Sequence, residues 1–145
     1  MAGRKLSTRA RGASSAPGTV VVDCEGLSGL VSEEHAVVAL VVEARSRGMD
    51  VVIGALTIIE ATHRKIDRAR LAWPLSNLRV EPVDDVPARA ASHLLLETGL
   101  HGHKYAIDAA VAEMAMRQHP PVVLMTSDPQ SSGALCGDTV RIIQL

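Results

Sequence analysis

Two acids stand at the ends of apolar runs. Asp23 follows Thr19-Val20-Val21-Val22, and Asp128 follows Val122-Val123-Leu124-Met125-Thr126 after one serine. Short continuous apolar runs read as strands buried on both faces, as in a parallel sheet. Ligands of open α/β sheets bind just outside the carboxyl ends of the strands, so parallel strands deliver both aspartates to one edge. Glu60, beside Ile59 and one turn from Leu56, and Asp108, with Val111, Ala112 and Ala115 along its side, lie on helical stretches against apolar surface. Four carboxylates in one cleft cannot all stay ionised without a cation. Oxygen-only donors suit Mg²⁺ or Mn²⁺. One or two such ions activate water and stabilise the leaving oxygen of a phosphodiester. The pattern therefore points to metal-dependent phosphodiester hydrolysis, with Asp23, Glu60, Asp108 and Asp128 as catalytic and metal-binding candidates. Each acid also has a plain structural role available. Asp23 and Asp128 can cap the helices that follow them, the latter ahead of Pro129 at a first helical position, and Glu60 can sit exposed at a stripe's edge.

The elements that must position these acids alternate. Strands are expected over Thr19–Val22, Asp50–Gly54, Leu78–Val83, Val122–Thr126 and Val140–Gln144. Gly26–Val31 reads as a short helix or turn. Ser32 reads as the N-cap of a helix buried through Ala36, Val37, Leu40, Val41 and Ala44 and stopped by Gly48. Further helices are expected from Ala55 to about Arg68, from Pro87 to Thr98 with Gly99 as its stop, from Tyr105 to about Gln118, and from Pro129 to Cys136. Trp73-Pro74-Leu75 and Leu100–Lys104 read as loops, and Pro82 marks the third strand as an edge or marks its end. This alternation predicts a three-layer α/β domain with a central, mostly parallel sheet flanked by helices.

Composition narrows the class. The chain of 145 residues is 47% apolar but has no Phe, one Trp and one Tyr, so its core must be aliphatic. No apolar run approaches a membrane span, and the N-terminus lacks an apolar signal core, so a cytoplasmic protein is expected. Cys24 and Cys136 have no metal-binding spacing and read as free thiols. Residues 1–18 carry Arg4, Lys5, Arg9 and Arg11 and no acid, leaving eleven basic against sixteen acidic residues elsewhere. That basic stretch, rich in Gly, Ala and Ser, is expected to be a disordered arm ahead of a domain at 19–145.

The ordered acids in Val-Val-Val-Asp23, Leu-Thr-Ile-Ile-Glu60-Ala, Ala-Ile-Asp108-Ala-Ala-Val-Ala and Leu-Met-Thr126-Ser-Asp128-Pro resemble the PIN-domain family over roughly residues 19–145. The stretch His101-Gly-His-Lys-Tyr-Ala-Ile-Asp108 is similar to a variant found in actinobacterial members. Many single-domain bacterial PIN proteins are VapC-type toxins. The resemblance implies a Mg²⁺- or Mn²⁺-dependent endoribonuclease acting on RNA, a homodimer, and silencing by a small antitoxin protein. It implies that Asp23, Glu60, Asp108 and Asp128 form the acidic pocket and that Thr126 hydrogen-bonds within it. The chain departs from the family at Glu25, where a small hydroxyl or apolar residue is common, and at Lys104 and Tyr105, where many members carry a further acid. Glu25 is thus a supporting candidate, as a ligand or as a charge that repels RNA, and Lys104 a candidate phosphate contact.

Rival patterns are weaker. Glu60-Ala-Thr-His63 has di-iron spacing but does not recur. Ser127 lacks a nucleophile elbow, and no phosphate-binding glycine pattern is present. A phosphoacceptor domain would need adjacent early acids and a late strand-end lysine, which this chain lacks. The principal alternative is a non-catalytic PIN-like module that binds RNA or protein.

Overall fold

The computed structural model describes residues 17–145. The expected arm therefore lies outside the described residues except for Pro17 and Gly18. Five strands, β1 (Thr19–Val22), β2 (Asp50–Gly54), β3 (Arg79–Glu81), β4 (Val122–Thr126) and β5 (Arg141–Gln144), form one sheet in the order β3-β2-β1-β4-β5. Every pairing is parallel, and Val22 aligns with Ile53 on one side and Met125 on the other. β3 is an edge strand, and it ends at Glu81, directly before Pro82. The chain builds outward from β1 through β2 to β3, then returns to β1's other side with β4. The gap beyond β1 and β4 is thus the topological switch point, where ligands collect in such sheets.

Strand alternation feeds two cores. Val21, Val52, Val122 and Leu124 face one way, against α5 (Asp85–Thr98), α6 (Gly102–Met116) and α7 (Pro129–Cys136). Val20, Val22, Val51, Ile53 and Met125 face the other, against α1 (Cys24–Val31), α2 (His35–Ser46) and Ala61 of α3 (Ala55–Ala61). α4 (Arg68–Ser76) adds Leu71 and Leu75 to that second core. Both sheet faces are covered, which explains why the strands read as continuous apolar runs. No helix among the described residues is long and apolar enough to cross a membrane.

Several boundaries differ from expectation. α1 begins at Cys24, and Ser32 ends it rather than starting α2; its hydroxyl donates back to the Ser28 carbonyl at 2.6 Å. α2 starts three residues later, after Glu33 turns the chain at φ 58°. Its buried stripe is Val37, Val41 and Ala44, with Ala36 and Leu40 exposed. α3 stops at Ala61, and α4 is a separate helix that contains Trp73 and Pro74. Asp67 starts it by accepting from the Arg70 amide at 3.1 Å. α5 starts two residues earlier than expected, at Asp85, and Gly99 terminates it in the left-handed region at φ 71°. α6 begins at Gly102, inside the stretch expected to be a loop, and is kinked at Tyr105.

α1 lies close on β1 because residue 26 has no side chain. A Cβ there would stand 2.5 Å from the Val22 Cγ1, a buried branched side chain with nowhere to move. Gly26→Ala is expected to cost about 1–3 kcal/mol by overpacking, read as a lower urea midpoint at unchanged m-value.

Candidate metal and active site

Asp23 and Asp128 are helix caps and cavity walls at once. Asp23 leaves β1 and caps α1, its Oδ1 accepting from the Gly26 amide at 3.0 Å. Its Oδ2 accepts from the Ser127 amide at 3.3 Å, which ties the end of β1 to the end of β4. The Asp128 amide donates to Thr126 Oγ1 at 3.0 Å, and Asp128 Oδ1 accepts from the Ser131 amide at 3.2 Å to cap α7. That bond holds the Asp128 carboxyl below its ordinary value, with further help from the Gln130 amide and the charge of Lys104. Thr126 is buried, and its carbonyl accepts from Leu145 at 2.9 Å. Thr126→Val would leave the Asp128 amide without this acceptor. A loss of about 1–2 kcal/mol is expected, with faster amide exchange at Asp128 by NMR.

Asp23, Glu60, Asp108, Thr126 and Asp128 all line one cavity of about 180 Å³, together with Cys24, Ser127 and Ser132. Val111 and Leu124 supply its apolar lining. Glu60, expected on or near a buried stripe, is exposed; Thr57 and Ala61 are the buried residues of α3. Asp108 is partly buried, because α6 is buried on most sides through Ala109–Ala112, Met114 and Ala115. Burial, and after it the charges of Glu60, Asp128 and Asp23, together raise its carboxyl from the ordinary 3.8 to about 6. The charges of the other three acids therefore converge on Asp108.

Cys24 was missed as a site residue. It is a free thiol, as expected, but it lines the cavity together with Glu60. Burial first, then the nearby Glu60 charge, push the thiol up to about 12, so it stays protonated and unreactive. Its place directly after a strand-end acid was the available signal. Glu25 is exposed and does not line the cavity, though its charge reaches Cys24. Lys104 is exposed in the first turn of α6, its ammonium 5.2 Å from the Tyr105 ring centroid.

The donor set is oxygen-rich and open. As placed, no three His, Cys, Asp or Glu side chains among the described residues converge on a common metal position. Mg²⁺ rarely needs such a cage: one or two carboxylates and several waters suffice. The unrelieved repulsion at Asp108 is the strain that a divalent cation would remove, so the residues fit such an ion.

A chain in the crystal structure of VapBC2 from Rickettsia felis bound to a DNA fragment from their promoter shares this architecture, with a TM-score of 0.66 over 88% of this chain and 98% of that one. The fold is PIN-like. Sequence identity to that chain is 12%, so the likeness is one of fold. No protein-family model matches the sequence, and no curated protein matches it.

Proposed function

We propose that the protein is a metal-dependent endoribonuclease and the toxin of a toxin–antitoxin pair. The observation that carries this is the gathering of Asp23, Glu60, Asp108 and Asp128 around one small cavity at the switch point of the sheet. Asp23, Asp108 and Asp128, with Glu60, would hold Mg²⁺ or Mn²⁺. Such an ion, when bound, supplies an activated water and offsets charge on the phosphodiester. The chain's own residues supply the geometry. The Ser127 and Gly26 amides fix Asp23, and Thr126 fixes the backbone of Asp128. Cys24 lines the cavity as a neutral thiol, and Val111 and Leu124 keep one side of it apolar.

Cleavage of structured and unstructured RNA by purified protein in Mn²⁺ tests this reading. Cleavage abolished by EDTA and restored by Mg²⁺ or Mn²⁺, but not by Ca²⁺, is the expected result. Metal-independent cleavage, or none on any RNA, would favour a non-catalytic RNA- or protein-binding module.

The partner reading has its own surface. A larger groove of about 490 Å³ lies away from the acids, walled by Leu30, Val31, Val38, Val41, Val42, Trp73 and Pro74, with Glu33, Arg45 and Arg70 also lining it. It suits the apolar face of an amphipathic helix, and the solved neighbour is itself a two-protein assembly. Trp73 is 70% exposed and is the chain's single tryptophan. Addition of a small protein encoded beside this one is expected to blue-shift its fluorescence. An unshifted spectrum on complex formation would place the partner elsewhere. Val86 and Leu96, exposed on α5, offer apolar surface to a second copy of the chain.

A further inference from the structure

The cations among the described residues fall into two groups. Arg47, Arg79, Arg89 and Arg117 are each paired with carboxylates. Arg45, Arg70, Lys104 and Arg141 make no such pair, and neither do Arg64, Lys65 and Arg68. The last three are exposed, on the connection from α3 to α4 and its first helical residue. That connection starts at Thr62, two residues after Glu60, which lines the acidic cavity. The stretch Thr62–Arg70 has four basic residues against one acid, and that acid, Asp67, is engaged in capping α4. Ile59, on the same end of α3, is 68% exposed. At the α6 side of the cavity stands Lys104, one helical turn before Asp108 and within reach of the Asp128 charge.

This arrangement answers a physical difficulty. Four carboxylates around the cavity repel a polyanion, and one divalent ion offsets only part of that charge. Cations already neutralised by carboxylates contribute little to attracting phosphate, whereas uncommitted ones release counterions on binding. An exposed aliphatic side chain beside them gives an unpaired base apolar surface to cover, which a duplex could not use.

Resting on the ribonuclease reading above, we propose that the α3–α4 connection is the binding track for single-stranded RNA. Arg64, Lys65 and Arg68 hold backbone phosphates, and Ile59 lies under a base. The strand passes from there over the acidic cavity to Lys104.

The test is fluorescence anisotropy with a short, end-labelled single-stranded RNA of mixed sequence. The full chain is titrated in EDTA, where no cleavage interferes, at several salt concentrations. The combined Arg64→Gln, Lys65→Gln, Arg68→Gln variant is expected to bind roughly tenfold or more weakly near physiological salt. Its log Kd against log salt slope should fall by about two, at ~0.7 for each lost phosphate contact on a single strand. A variant with Arg47→Gln and Arg89→Gln, which removes paired cations, should keep wild-type affinity and slope. Equal circular dichroism and melting curves for the triple variant and wild type exclude misfolding as the cause. Wild-type affinity and slope in the triple variant would overturn the proposal while leaving the ribonuclease reading intact. Loss of binding to poly-glutamate without loss of RNA binding would also overturn it and assign the surface to an acidic protein partner. Absence of both RNA binding and RNA cleavage by the wild-type chain would instead overturn the reading on which the proposal rests.

Discussion

Asp108→Asn is expected to abolish RNA cleavage while making the metal-free protein more stable. The two effects have one cause. Burial and the charges of Glu60, Asp128 and Asp23 all disfavour the ionised Asp108 carboxyl, which rises to about 6. At neutral pH the folded metal-free protein therefore carries an unfavourable charge that asparagine removes. Because the folded state holds this proton more tightly than the unfolded chain, the associated stability is full below about pH 4 and is lost as pH rises toward 6. For a partly exposed carboxyl, solvent screening limits the loss to about 1–2 kcal/mol. A chelated wild-type sample should thus melt at progressively lower temperature from pH 4 to pH 6, and the asparagine variant should show a flatter curve over that window. Millimolar Mg²⁺ should restore the wild type at pH 7 through binding linkage and leave the variant unmoved. Activity should fall by at least about 10³-fold, or ~4 kcal/mol in the barrier. A variant that loses activity by losing structure would instead melt earlier at every pH.

Asp23 is expected to give the opposite sign on stability. Its carboxylate accepts from the Gly26 amide and from the Ser127 amide, so it caps α1 and joins two strand ends. Asp23→Ala removes both acceptors. The lost cap costs about 1 kcal/mol, and a stranded amide adds a comparable amount, partly offset by relief of repulsion on Asp108. Asp23→Asn separates the roles, because asparagine caps a helix as well as aspartate does but carries no charge. Both variants should lose cleavage by about 10²-fold or more, while only the alanine variant should melt clearly earlier. If asparagine retained full activity, Asp23 would be a cap and nothing else.

The contrast between these two acids shows what the sequence could and could not reveal. For Asp23 and Asp128 the helix cap and the place at the cavity were read as alternatives, yet each residue caps a helix and lines the cavity. A cap engages the amides of the following turn, and the same carboxylate still borders the cavity at the switch point. The strands were legible because burial on both faces leaves an unbroken run of Val, Leu, Ile and Met, as at Val20–Val22 and Val51–Ile53. Helix ends were less so. Ser32 is a good cap by type, but its hydroxyl bonds back to Ser28 and closes the preceding helix. Pro74 argued for a loop, yet it falls seventh of nine residues in α4, with the start fixed by Asp67. Cys24 passed unnoticed because its relevance depends on Glu60, thirty-six residues away and brought beside it only by the fold. Glu25 shows the converse: adjacent to Asp23 in sequence, it faces solvent because neighbouring helix positions point in different directions.

The most direct measurement is Mn²⁺ binding followed by electron paramagnetic resonance of the free ion, on wild type and on Asp108→Asn. The wild type is expected to bind one or two equivalents and so to suppress the free-ion signal. The variant, folded and more stable, is expected to leave that signal unchanged. A wild-type protein that cleaves RNA while leaving free Mn²⁺ undiminished would contradict the assignment of the four carboxylates as a cation site. So would a variant that binds Mn²⁺ as tightly as the wild type.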